Sequence, residues 1–260
     1  MKKLIAAASI AVALFGAGSV QAETLKVGVT PGPHAQIMDK VKEVAATKGL
    51  DLEIIEFSDY VMPNQALSDG DLDINSFQHK PYLDNQVADR GFDLVSVAQS
   101  VNFPMGGYSK KVGSVEEIAD GASIALPNDP SNGARALLLL EDQGLIKLTE
   151  GVGIKASVAD VIENPHGYQL IELDAAQLPR SLDDVDVSVI NTNYALDAGL
   201  SPIDDSIFRE GEKAPYINVI AVRAENKDKD WVKTFIECYH SDEVKAFIED
   251  EFKGAVIAAW

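Results

Sequence analysis

Short apolar runs alternate along this chain with longer amphipathic runs, and that alternation limits the folds open to it. Apolar positions in the first amphipathic run, Ile37, Val41 and Ala45, recur at helical spacing. Strands that alternate with helices of about 10–15 residues predict βαβ units and largely parallel sheets. The predicted strands are 25–29, 52–57, 94–101, 123–126, 170–173, 187–190 and 219–222. The predicted helices are 34–48, 63–68, 80–90, 132–143, 229–239 and 242–252.

Two proline-containing segments, 103–108 and 213–216, are candidates for places where the chain passes between domains. If it crosses at both, one lobe is discontinuous, with residues 23–105 plus 219–260, and the other is continuous, with residues 106–218. A cleft then lies between the lobes, and the two crossing segments form its hinge.

The first 22 residues have the pattern of a secretory signal peptide. Lys2 and Lys3 precede an apolar run, and Val20 and Ala22 supply small residues before a cut that we expect after Ala22. An uncleaved membrane anchor is the alternative. The only cysteine is Cys238, which we expect to be a small buried apolar residue. With no cysteine at the cut, we expect a periplasmic protein that is not lipid-anchored.

Charge and motifs exclude several classes of function. The 260 residues carry 41 acidic and 22 basic side chains, a formal net charge of −19, which disfavours nucleic-acid binding through a basic face. The patterns GxSxG, SxxK, HExxH and GxxxxGK[ST] are missing from the sequence. Its four histidines share no metal-ligand spacing. We therefore expect no enzyme, no metal site and no cofactor.

Two segments combine residue types that suit a small ligand. Phe77, His79 and Tyr82 precede or begin a predicted helix, and with Tyr60 they could enclose an apolar group, although aromatic residues more often lie in cores. Residues 126–135 run from a strand into a helix that Ser131 or Asn132 would cap. Arg135, which we place in its first turn, could hold an anion there or pair with a carboxylate of the protein.

Asparagines at strand ends form a third group. Asn191 follows one predicted strand and Asn218 precedes another. An amide offers both a donor and an acceptor, which suits the ammonium and carboxylate of an amino acid. A turn-forming or capping role is the alternative, and it weighs more heavily for Asn193.

Taken in order, the segments NSFQHKPYL, GYSKK, PNDPSNGARALLLL, ENP, QLPRSLDD, INTNYA, PYINVI and SDEVKAF resemble the NlpA family of substrate-binding proteins. Within that family the resemblance is to the methionine-binding receptors of ABC importers. It covers essentially the whole chain after residue 22. It implies an α/β, type 2 periplasmic-binding-protein fold, whose two lobes each hold a mostly parallel sheet flanked by helices. Many members carry a lipid on a cysteine at the cleavage site, and this chain departs from that pattern.

The resemblance also implies roles for particular residues. It implies a cage around the thioether, a carboxylate-binding arginine with an asparagine beside it, and two asparagines on the ligand's amino-acid backbone. The cage residues are Tyr60, Phe77, His79 and Tyr82. The arginine is Arg135, and the asparagine beside it is Asn132. The two asparagines on the ligand's backbone are Asn191 and Asn218, with Asn193 a weaker candidate.

The expected function is capture of methionine in the cleft and its delivery to an ABC permease driven by a separate ATPase. L-Methionine is the expected ligand, with D-methionine or a derivative as further candidates, and the protein is expected to be a monomer. The alternative is a surface-exposed interaction or adhesion protein that keeps the same fold as a scaffold.

Overall fold

The computed structural model describes residues 23–211 and 215–260. The predicted signal peptide lies outside these ranges. The first part of the chain forms β1 Glu23–Val29, α1 Pro33–Thr47, β2 Leu50–Glu56, α2 Met62–Asp69, β3 Ile74–His79, α3 Lys80–Arg90, β4 Leu94–Gln99 and β5 Val101–Asn102. The middle part forms β6 Gly106–Tyr108, β7 Ser123–Pro127, α4 Pro130–Asp142, β8 Lys147–Leu148, β9 Val161–Glu163, β10 Gln169–Leu173, α5 Leu178–Ser181, β11 Val187–Ile190, α6 Thr192–Asp197 and β12 Ser206–Arg209. The last part forms β13 Asn218–Arg223, α7 Asp230–Tyr239, α8 Asp242–Phe252 and β14 Ile257–Ala258.

Two five-stranded sheets organise these elements. The first has the strand order β2-β1-β3-β13-β4 and the second has the order β10-β7-β11-β6-β12. In each sheet four strands run in one direction and one opposes them, namely β13 in the first and β6 in the second. Both opposing strands are those that the chain enters directly after passing from one sheet to the other. The expected α/β fold with two mostly parallel sheets is confirmed.

Each sheet has its own apolar core. Val27 of β1 and Ile220 of β13 are fully buried beneath α1 and α7, and Cys238 lies in the same core, as expected. In the second sheet Ile124 and Val189 pack with Leu137 of α4. We propose that these two units are lobes with the predicted boundaries, and the names first lobe (23–105 with 219–260) and second lobe (106–218) follow that division. The strand β13, which belongs to the first sheet, begins at Asn218.

The strand β3 is absent from the sequence prediction because four of its six residues are polar. All six of its residues are buried, among them Asn75 and Gln78. The Asn64 and Gln78 side chains exchange two amide hydrogen bonds of 2.7 Å, and Asn75 donates to Asn64 Oδ1 at 2.9 Å. Buried amides are tolerated when they are paired in this way. A pattern of apolar residues therefore does not reveal this strand, which carries Phe77 and His79.

None of the helices within the described ranges has the length and hydropathy needed to cross a bilayer.

Candidate functional site

A cavity lies between the two sheets. Both lobes contribute to its wall, since α3 and β3 border it on one side and α4 and α6 on the other. The structure brings all eight predicted site residues to this cavity: Tyr60, Phe77, His79, Tyr82, Asn132, Arg135, Asn191 and Asn218. The weaker candidate, Asn193, lines it as well.

Three aromatic rings form the wall that the first lobe contributes. The ring centroids of Tyr60, Phe77 and Tyr82 are 6.0, 6.0 and 6.1 Å apart, in tilted and edge-on contacts. The hydroxyl of Tyr82 donates to the carbonyl of Tyr60 at 2.8 Å, and that of Tyr60 donates to Asn193 Oδ1 at 2.6 Å. Because both hydroxyls already have acceptors, this wall is apolar.

The last residue of β3, His79, has a defined protonation state. Its Nδ1 accepts the backbone N–H of Tyr82 at 3.1 Å and thereby caps α3. Burial, reinforced by the nearby Arg135 charge, lowers the pKa of His79 to about 3. The ring is therefore neutral, its proton is on Nε2, and that nitrogen donates to Asn132 Oδ1 at 3.0 Å.

The N-terminal turn of α4 differs from the sequence prediction in two respects. The cap is Asp129, whose Oδ1 accepts the backbone N–H of Asn132 at 2.9 Å, and neither Ser131 nor Asn132 caps the helix. Because α4 begins at Pro130, Arg135 lies in the second turn. The capping carboxylate also accepts from Asn132 Nδ2 at 2.9 Å. Burial raises the pKa of Asp129.

The Asn132 side chain joins the two lobes. Its Oδ1 accepts from His79 of the first lobe and from Asn191 Nδ2 at 2.8 Å in the second. Its Nδ2 donates to Asp129, so both ends of the amide are occupied by protein groups. The Oδ1 atom of Asn191, in contrast, is buried at the cavity without a hydrogen-bond partner among the described residues.

The charged group at the cavity, Arg135, is buried and already paired. Its Nε donates to Glu210 Oε1 at 2.8 Å and its Nη2 to Glu210 Oε2 at 2.5 Å. The same Nη2 donates to the carbonyl of Phe103 at 2.7 Å, and the guanidinium lies 4.4 Å from the ring centroid of Tyr216. The possibility that Arg135 pairs with a protein carboxylate is therefore realised. Within the described ranges, the hydrogen bonds of this guanidinium do not use Nη1.

Contacts across the cleft hold the lobes together in this structure. Besides the bond from Tyr60 to Asn193, the hydroxyl of Tyr194 donates to the carbonyl of Ser58 at 3.2 Å. The rings of Tyr60 and Tyr194 are 4.9 Å apart. The cavity is thus described in a closed arrangement of the two lobes.

Sequence reasoning missed four residues that line the cavity, His34, Gln78, Phe103 and Thr192. The rings of His34 and Phe103 are 4.8 Å apart, burial lowers the pKa of His34 to about 3, and its Nδ1 has no partner among the described residues. Phe103 could have been identified from the prediction that the chain crosses between the lobes at 103–108, because a crossing segment must border the cleft. His34 offered no comparable signal.

Within the described ranges, no three His, Cys, Asp or Glu residues form a group suited to a metal ion.

Comparison with known proteins gives one consistent result. The family model described as NlpA lipoprotein matches residues 25–260. A protein of Yersinia pestis named D-methionine-binding lipoprotein MetQ is 50% identical over 239 residues, covering 91% of this chain and 88% of that protein. A protein of the same name from Escherichia coli (strain K12) is 49% identical over 253 residues, covering 95% and 93%. A solved nutrient-binding protein from Burkholderia cenocepacia, bound to methionine, is 52% identical with a TM-score of 0.89 and covers 91% of this chain and 100% of that one.

These comparisons correct one expectation. The expectation of a periplasmic protein without a lipid anchor is wrong, because the matching family is described as a lipoprotein family and both relatives are named lipoproteins. That expectation depended on a single negative observation, the lack of a cysteine near Ala22. The one cysteine of the sequence is Cys238, which is buried in α7.

Proposed function

Since the chain belongs to the NlpA lipoprotein family, we propose that it is a substrate-binding protein that captures methionine between its lobes and delivers it to an ABC importer. One observation carries the proposal. The cavity between the lobes has an apolar aromatic wall on the first lobe and buried amide and guanidinium groups on the second. An α-amino acid with an apolar side chain has the matching distribution of polar and apolar groups.

The aromatic wall is assigned to the methionine side chain. A thioether is polarisable and makes favourable contacts with aromatic rings, often at their edges. The Tyr60 and Tyr82 hydroxyls bond to protein acceptors, so the rings offer apolar surface rather than competing hydrogen bonds. His79 adds a neutral ring beside Tyr82, with a centroid separation of 6.2 Å.

The amino-acid backbone of the ligand is assigned to the polar end of the cavity. Asn191 Oδ1, which has no hydrogen-bond partner among the described residues, is an acceptor suited to the ammonium group. The carboxylate is assigned to Arg135 through Nη1, with Asn132 and Asn218 beside it. Because Glu210 already balances the charge of Arg135, the carboxylate would join an existing ion pair rather than meet an isolated cation.

Capture follows from the ligand touching both lobes. A ligand that contacts Phe77 in one lobe and Arg135 in the other binds the closed arrangement better than an open one, and so shifts the population toward closure. Delivery to a permease and its ATPase is the role proposed for the closed form. Catalysis is no part of this function.

Calorimetric titration with L-methionine and D-methionine, preceded by native mass spectrometry of the purified protein, tests the proposal. We expect a co-purified mass near that of one amino acid, and tight binding of at least one methionine enantiomer. Leucine and alanine serve as matched ligands without the thioether. Failure of both methionine enantiomers to bind would refute the proposal and favour a scaffold role.

A further inference from the structure

The carboxylate of Glu210 occupies an unusual position for a group outside the cavity lining. It follows β12 directly and its side chain is only 8% exposed. Both of its oxygens accept hydrogen bonds from Arg135, and Oε2 also accepts the backbone N–H of Met105 at 2.8 Å. The backbone N–H of Glu210 in turn donates to the carbonyl of Met105 at 2.9 Å.

These bonds join both places where the chain passes between the sheets. Phe103 and Met105 belong to the outgoing passage, which ends at β6. Glu210 and Tyr216 belong to the returning passage, which ends at β13. Arg135 contacts both passages, through the Phe103 carbonyl and Glu210 and over the ring of Tyr216, and it also lines the cavity.

Two parallel hydrogen bonds between a carboxylate and a guanidinium fix the plane of the guanidinium. With Nε and Nη2 occupied in this way, the direction of Nη1 is set by Glu210 rather than by the ligand. Without Glu210, the guanidinium would keep only the Phe103 carbonyl and the Tyr216 ring, and it could rotate about its terminal bonds.

We propose that Glu210 is the positioning residue for Arg135, holding it so that Nη1 meets the ligand carboxylate and so connecting that carboxylate to both chain passages. This inference rests on the proposed function. It predicts that the effect of Glu210 on binding depends on the carboxylate of the ligand, since the Glu210 side chain reaches that carboxylate through Arg135.

The test compares two ligands on matched variants. Binding of methionine and of methioninamide, whose neutral amide cannot form an ion pair, is measured for the wild type, Glu210→Gln and Glu210→Asp. We expect Glu210→Gln to weaken methionine by about tenfold or more and methioninamide by less than about threefold. Glu210→Asp keeps the charge and should recover part of the methionine affinity. Glu163→Gln, at the exposed pair with Lys147, is the control and should change neither ligand.

Thermal unfolding establishes that each variant is folded. If Glu210→Gln does not fold, the two ligands are compared on Glu210→Asp, for which we expect a smaller loss of affinity that is still specific to methionine. Equal losses for the two ligands would mean that Glu210 has a general structural role, and an unchanged or stronger methionine affinity would mean that it does not position Arg135. Either result overturns the inference while leaving methionine binding by the wild type intact. A wild type that binds no methionine would instead refute the proposed function.

Discussion

The two lobes build their sides of the cavity by different means. On the first lobe the rings of Tyr60, Phe77 and Tyr82 pack in tilted and edge-on contacts, and the two tyrosine hydroxyls have protein acceptors. On the second lobe Arg135, which is paired with Glu210 behind it, lines the cavity together with amides, and Asn191 Oδ1 is without a partner among the described residues. The first wall is therefore complete without a ligand, whereas the second keeps unused polar capacity. Shape therefore selects the ligand at the first wall, and hydrogen bonding selects it at the second.

The largest expected effect comes from the second lobe. Arg135→Ala removes the partner of buried Glu210, so we expect the free energy of unfolding to fall by about 3–5 kcal/mol. Methionine binding should fall by about 2–5 kcal/mol as well. Urea unfolding and calorimetry measure the two effects. Lys147→Ala, at an exposed ion pair, is the control. An unchanged methionine affinity would remove Arg135 from the site and contradict a polar role of the second wall in binding.

The second largest expected effect is a pH dependence of the free energy of unfolding, and it arises from two histidines of the first lobe. Burial lowers the pKa of His34 and His79 to about 3, whereas an unfolded histidine has a pKa near 6.5. The unfolded state therefore binds more protons between these values, and the protein loses stability as pH falls from about 6.5 toward about 3, by about 1.4 kcal/mol per pH unit for each histidine. His34→Gln should reduce the difference in unfolding free energy between about pH 7 and about pH 5. The exposed His166, changed to Gln, is the control, and equal pH dependence in both variants would contradict this reasoning.

A smaller effect tests the apolar wall itself. Phe77→Leu keeps an apolar side chain but removes a ring, and we expect methionine binding to weaken by about 0.5–1.5 kcal/mol. Alanine, which does not reach the wall, should lose almost nothing. Competition calorimetry compares the two ligands, and Phe92→Leu, a ring of the same lobe outside the cavity lining, is the control. Equal losses for both ligands would show that the ring serves the core alone.

The last expected effect, similar in size to that of Phe77→Leu, concerns the contact between the walls. Tyr194→Phe keeps the ring beside Tyr60 but removes the hydrogen bond to the Ser58 carbonyl. We expect the closed form to lose about 0.5–1.5 kcal/mol and methionine to dissociate faster, as measured by stopped-flow fluorescence. Tyr168→Phe, within the second lobe, should leave the rate unchanged. A slower dissociation in Tyr194→Phe would contradict a role of this bond in closure.

The sequence predicted the alternating elements and the residues at the cavity far better than the partners of those residues. Tyr60, Phe77 and Asn191 were recognisable from motifs with specific residue types. Glu210 was not, because it is one of 41 acidic residues and only the folded chain places it against Arg135. For the same reason, sequence alone could not decide whether Arg135 pairs with the protein.

The cap of α4 and the strand β3 show a second limit. Asp129, Ser131 and Asn132 are all good capping residues, and the choice between them depends on the backbone conformation at one position. In β3 the polar residues Asn75 and Gln78 are satisfied by each other and by Asn64, a pairing that sequence periodicity does not register.

The place of β13 in the first sheet has a consequence for the order of folding. Residues 218–223 lie between β3 and β4, which are neighbours in sequence, so the sheet keeps a gap at its centre until the last part of the chain arrives. The second sheet draws all its strands from residues 106–209 and can form first. Contacts between distant residues close late and slow folding. Until then β3, the strand that carries Phe77 and His79, has an open edge, and β4 has no strand partner, so both strands of the nascent protein need protection from aggregation.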